Sequence, residues 1–77
     1  MTMEERVEKL IKRKVDEYNA VSIGLIYAGD RTDIYKGRHI ELENLLFDFM
    51  WQMGITISFV TATDERGNEY SKAIIAE

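Results

Sequence analysis

The chain has 77 residues, 45% of them hydrophobic and 31% charged, with a net charge of −4, no cysteine, no proline and a single histidine, His39. A chain of this length makes one domain that buries only about 60% of its unfolded surface, so its core is thin. Disulfides, thiolate zinc sites and a histidine-rich metal site within one chain are excluded, which leaves oligomerisation as the expected supplement to stability.

No window approaches the roughly 18–20 continuous apolar residues of a membrane span. The first residues, Met1-Thr2-Met3-Glu4-Glu5-Arg6, are charged where a signal peptide is apolar. The expectation is a cytoplasmic protein with no membrane partner. Residues 1–19 are charge-balanced, five basic against five acidic, and the rest carries five against nine. Nucleic-acid binding draws most of its affinity from basic faces. No such face is present, so no nucleic-acid partner is expected.

Thr2 followed by Glu5 is a capping-box signature, and a helix is expected from there to about Asn19. Met3, Val7, Leu10, Ile11, Val15 and Tyr18 fall in one arc of it. Glu5–Lys9, Glu8–Lys12 and Arg13–Glu17 are spaced as i, i+4 pairs on the other side. Residues 21–28 alternate large (Val21, Ile23, Leu25, Tyr27) with mostly small side chains, the period of a strand. Gly29-Asp30-Arg31 reads as a turn and residues 32–36 as a second strand in a hairpin, ended by Gly37. A second helix is expected over about 38–53, stopped by Gly54. A strand over 55–61 and a loop over 64–68 follow. The last segment, Tyr70 to about Ala76, reads as a short helix, or else as a strand closing a hairpin at Gly67-Asn68. The expected fold is a small two-layer α+β domain in the order α-β-β-α-β-α, with a three-stranded mixed sheet, a right-handed crossover and no second domain.

The helix over 38–53 is apolar on two sides. At about 100° per residue, Leu45, Leu46, Phe49, Met50 and Met53 lie within roughly 80° of Leu42. Ile40, Phe47 and Trp51 lie near 140–180°. One stripe suffices to pack a helix on a sheet. The second requires cover by another helix of the chain, a ligand pocket lined by Trp51, or a subunit or partner interface, the context in which Trp and Phe are enriched. A two-fold copy of the same helix is a simple partner.

Candidate chemistry is sparse. Asp30 and Asp33 could hold Mg²⁺, yet Asp is a favoured turn residue and two carboxylates do not close a site. Arg31, Lys36 and Arg38 could meet a phosphate or form a solvated rim. His39 has no recognisable nucleophile or orienting acid beside it in sequence. Residues 64–69 lack the ligand spacing of a calcium loop, and no GxSxG, Walker A or GxGxxG is present.

The expected order of elements resembles minimal nucleotidyltransferase domains. Residues 21–28 would be the first strand, Asp33-Ile34-Tyr35 falls where Asp-x-Asp belongs, residues 55–61 follow Gly54 as a further strand, and Tyr70–Glu77 is similar to the closing helix. Ala28-Gly29-Asp30-Arg31 lacks the serine of the family's Gly-Ser loop, and Tyr35 replaces the second aspartate. The resemblance implies a degenerate copy without activity, in which Asp33 remains as a metal ligand and Arg31 or Lys36 lies near phosphate. Only under this reading is a cofactor, Mg²⁺, implied. The leading expectation is a non-catalytic interaction or regulatory module, homodimeric through residues 38–53. The nucleotide-binding relic is the alternative, and an acidic inhibitor of a basic partner protein a lesser one.

Overall fold

The structure is a computed structural model that describes residues 2–76. Two long helices form an antiparallel-chain hairpin, and a two-stranded β-hairpin lies against it. The elements are α1 (Met3–Ile26), a single 3₁₀ turn (Gly29–Arg31), α2 (Thr32–Met53), β1 (Thr56–Thr63) and β2 (Glu69–Ala76). No described helix is long and apolar enough to cross a membrane.

The order is thus α-α-β-β. The expected α-β-β-α-β-α order and three-stranded mixed sheet are overturned, and there is no crossover between parallel strands. Residues 21–28, expected as a strand, carry α1 on to Ile26. The alternation there is overridden by a longer rhythm: Ile11, Val15, Tyr18 and Ser22 are all buried, at spacings of four, three and four, and Leu25 continues the row half-buried. Nothing between Asn19 and Val21 stops a helix, and strand preference is a weak prior against a continuous packed face. Residues 32–36, expected as a second strand, are the first turns of α2, and Gly37 sits inside that helix rather than ending it. The C-terminal segment, expected as a helix, is β2; its other reading, a hairpin strand, is the one the fold adopts.

Other boundaries follow the sequence. The Glu5 N–H donates to Thr2 Oγ1 (3.2 Å) and the Thr2 hydroxyl to Glu5 Oε1 (3.2 Å), so the cap at the start of α1 is in place. Gly54 ends α2 at φ 67°, where its N–H donates to the Met50 carbonyl (3.1 Å), a left-handed conformation that costs a residue with a Cβ roughly 1 kcal/mol or more. The hairpin turns at Asp64–Asn68. Gly67 at φ 85° closes it, while Asp64 Oδ1 accepts from the N–H groups of Arg66 (2.9 Å) and Asn68 (2.8 Å).

The core lies between the helix pair and one face of the hairpin. It consists of Ile11, Val15 and Tyr18 from α1, Leu42 and Leu46 from α2, and Ile57 and Ala73 from the strands. Truncating a fully buried Leu such as Leu46 costs about 2–5 kcal/mol, a large part of the roughly 5–10 kcal/mol that holds a domain of this size. The i, i+4 charge pairs expected on α1 are not among the ion pairs of the described residues. Those are Arg38–Glu17 (3.0 Å), which links the helices, Lys14–Glu17 (3.3 Å) and Arg38–Glu41 (3.8 Å).

Candidate functional site

The second stripe of α2 remains uncovered by the chain. Trp51 is 85% exposed, Ile40 57% and Phe47 47%, whereas Leu42 and Leu46, on the other side of the same helix, are buried. Neither α1 nor the C-terminal segment wraps over the stripe, because α1 packs on the Leu42 side and residues 69–76 are spent on the hairpin. Phe47 is the exception in part: its ring meets that of Phe59 at 5.3 Å between centroids. One turn further on, Met50 Sδ accepts the Ile57 N–H at 3.2 Å. Phe47 and Met50 therefore carry β1 along the flank of α2 that continues into Ile40 and Trp51.

The hairpin has two outer edges, and they differ. In the register Phe59↔Ala73, both main-chain groups of Ala73 turn away from β1. They are taken by the side chain of Asn19, whose Oδ1 accepts the Ala73 N–H (2.7 Å) and whose Nδ2 donates to the Ala73 carbonyl (3.0 Å). One α1 amide so stands in for a neighbouring strand at the middle of β2. On β1 the corresponding outward groups belong to Ile57, Phe59, Thr61 and Thr63. Ile57 N–H has Met50; among the described residues no main chain or side chain meets the outward groups of Phe59, Thr61 and Thr63.

A polar cluster lies inside, between the helices. Ser22 is 3% exposed and its Oγ lies 2.7 Å from His39 Nε2. Tyr18 stacks on the imidazole at 4.4 Å, sets its ring edge-on to Phe59 at 5.4 Å, and shares a hydrogen bond of 2.8 Å with Ser71 Oγ. The separation of Ser22 and His39 is that of a nucleophile and its base. Two features oppose that role. The hydroxyl is enclosed within a helix, and among the described residues no acid orients the imidazole from its other nitrogen. The arrangement instead satisfies a buried serine and pins α1 to α2. A shallow cleft of about 330 Å³ reaches the pair, lined by Ser22 and His39 together with Thr32, Lys36 and Tyr70.

The remaining candidates are dispersed. Asp30 and Arg31 are exposed in the 3₁₀ turn, and Asp33 and Lys36 are exposed at the start of α2. Among the described residues no three His, Asp or Glu side chains converge as a metal site. At the hairpin loop the Tyr27 hydroxyl donates to Asp64, Arg66 lies over the Tyr27 ring at 5.6 Å, and the loop is tied to the end of α1. The hydrogen bond to Asp64 holds the Tyr27 hydroxyl above its ordinary pKa. The same bond, aided by the N–H groups of Asn68 and Arg66, holds the Asp64 carboxyl below its own.

Sequence reasoning singled out Ile40, Phe47 and Trp51. The Asn19 contact and the open edge of β1 were not singled out because they depend on residues 69–76 taking the strand reading, and the Ser22–His39 contact because it depends on residues 21–28 being helical. The available signal for the two α1 residues was the spacing that places Asn19 and Ser22 beside Val15 and Tyr18 on a longer α1. The chain matches no family model, no curated protein and no solved structure.

Proposed function

We propose that this chain is a non-catalytic interaction module that works as a homodimer through the outer flank of α2, with Ile40, Phe47 and Trp51 as the contact residues. The observation that carries this reading is the exposure of Trp51 beside Phe47 and Ile40 on a helix whose opposite face already fills the core. Contiguous exposed aromatics are unusual on a monomer and typical of interface cores.

The dimensions of the molecule support the same reading. Its accessible surface is 5724 Å², against about 4850 Å² expected for a compact monomer of 9.0 kDa. The surplus of roughly 900 Å² is the extra surface of an elongated fold with a thin core. The shape, 41 × 23 × 22 Å, is that of an elongated half rather than a closed globule.

Sedimentation equilibrium of wild type and Trp51→Ala tests the proposal. A dimer in wild type, weakened on the order of tenfold or more by Trp51→Ala, is the expected result. A wild type that stays monomeric at millimolar concentration contradicts it.

A further inference from the structure

We infer that the dimer is joined edge to edge through β1, two copies pairing antiparallel about a two-fold axis at Thr61 to make one four-stranded sheet in the order β2-β1-β1-β2. The inference rests on the homodimer reading and specifies how the copies meet.

Four observations select β1 and a second copy of this chain as its occupant. The first is the asymmetry of the edges. Asn19 fills the middle of β2's outer edge, while Phe59, Thr61 and Thr63 keep outward N–H and carbonyl groups that no described residue meets. The second is that, beyond the Ile57 N–H held by Met50, this edge lacks the charges, prolines and bulges by which monomers protect an edge. Residues 54–63 contain no ionisable side chain and no proline, and β1 keeps continuous register with β2 from Thr56 to Thr63 without a bulge. Such a neutral segment rich in β-formers associates with its like unless it is covered.

The third is charge. Each copy carries −4, so two copies repel at most surfaces, and β1 is the stretch where they can meet without bringing carboxylates together. The fourth is register. Because Met50 already takes the Ile57 N–H, three outward residues remain, and only a two-fold at Thr61 uses them all: Thr61 opposite Thr61 of the second copy, and Phe59 opposite its Thr63. Odd residues then face odd residues. The helix-side faces of both hairpins coincide, and the two α2 helices come to the same side of the joined sheet with their exposed stripes toward the seam.

The chain has no cysteine, so a single introduced thiol reports the pairing. In this register the Cα atoms of the two Thr61 residues are about 5.5 Å apart, within disulfide reach. Those of Ser58, paired six positions away, are roughly 20 Å apart. Full-length Thr61→Cys and Ser58→Cys, each exposed in the hairpin, would be oxidised mildly beside sedimentation of wild type. The expected result is a wild-type dimer and a disulfide-linked Thr61→Cys dimer that forms on the order of tenfold or more faster than that of Ser58→Cys. Equal rates in the two variants, with wild type still dimeric, would overturn edge pairing and leave the α2 contact standing. A monomeric wild type would overturn both.

Discussion

At the scale of single residues, Asn19 ties α1 to the middle of β2. It is half-buried, and both ends of its amide are committed to Ala73. Asn19→Ala removes two hydrogen bonds and leaves a partly buried donor and acceptor without partners, for an expected loss of about 2 kcal/mol in urea unfolding. Asn19→Asp keeps an acceptor for the Ala73 N–H and turns a second oxygen toward the Ala73 carbonyl, so it recovers only part of that loss. Tyr27 and Asp64 make a second residue-scale case. The folded carboxyl of Asp64 titrates below the ordinary 3.8, so its contribution is present above 3.8 and lost as pH falls through the folded value. The folded Tyr27 hydroxyl titrates above 10.0, so its contribution is full below 10.0 and lost as pH rises through the raised value. Tyr27→Phe removes the shared hydrogen bond. The difference in urea midpoint between wild type and Tyr27→Phe is therefore expected to be widest between those limits and to shrink beyond each of them. A difference independent of pH would mean that the bond does not hold the loop in solution.

At the scale of elements, the glycines separate what was legible in the sequence from what was not. Gly54 reads as a helix stop and is one, at φ 67°. Gly37 reads as a strand breaker and is an interior helical residue with open space where a Cβ would stand. Gly37→Ala is accordingly expected to stabilise by up to about 1 kcal/mol, raising Tm by roughly 4–8 °C in calorimetry. A fall in Tm would mean that α2 does not run unbroken through this position. Gly24, read as a small residue in a strand, is where the helices come close, since a Cβ there would lie 2.8 Å from the Tyr35 ring. The start of α1, the core face of α2, the end of α2, β1 and the hairpin loop could all be read from caps, periodicity and turn residues. The joint of the helical hairpin could not, because alternation over 21–28 and the glycines at 29 and 37 imitate a β-hairpin. Packing between the helices breaks the tie, through the buried row that ends in Tyr18 and Ser22 and the contact of Ser22 with His39. The last strand was ambiguous for a related reason: Tyr70, Ala73 and Ile74 recur at a helical spacing, while the β-branched Ile74 and Ile75 suit the strand that pairs with β1.

At the scale of the whole molecule, the exposed stripe is what sequence and structure share. The wheel placed Leu42, Leu45, Leu46, Phe49, Met50 and Met53 toward the core and Ile40, Phe47 and Trp51 on the opposite side; Leu42 and Leu46 are buried, Phe49 and Met50 pack partly against the core, and Met53, at the end of the helix, is exposed instead. The nucleotide-binding alternative would draw on Arg31, Asp33 and Lys36, all exposed. Nucleotide with Mg²⁺ at millimolar concentration is expected to leave Tm unchanged, since a ligand that binds the folded state must raise it. A rise of several degrees would favour that alternative over a module that only pairs.

The uncovered flank of α2 and the strand beside it are the proposed interface between two copies. Sedimentation equilibrium of the intact wild-type chain across micromolar to millimolar concentration tests this most directly. A reversible dimer with twice the 9.0 kDa mass of one chain is the expected result. A single species at the monomer mass over the whole range, with Trp51 still exposed, would contradict it.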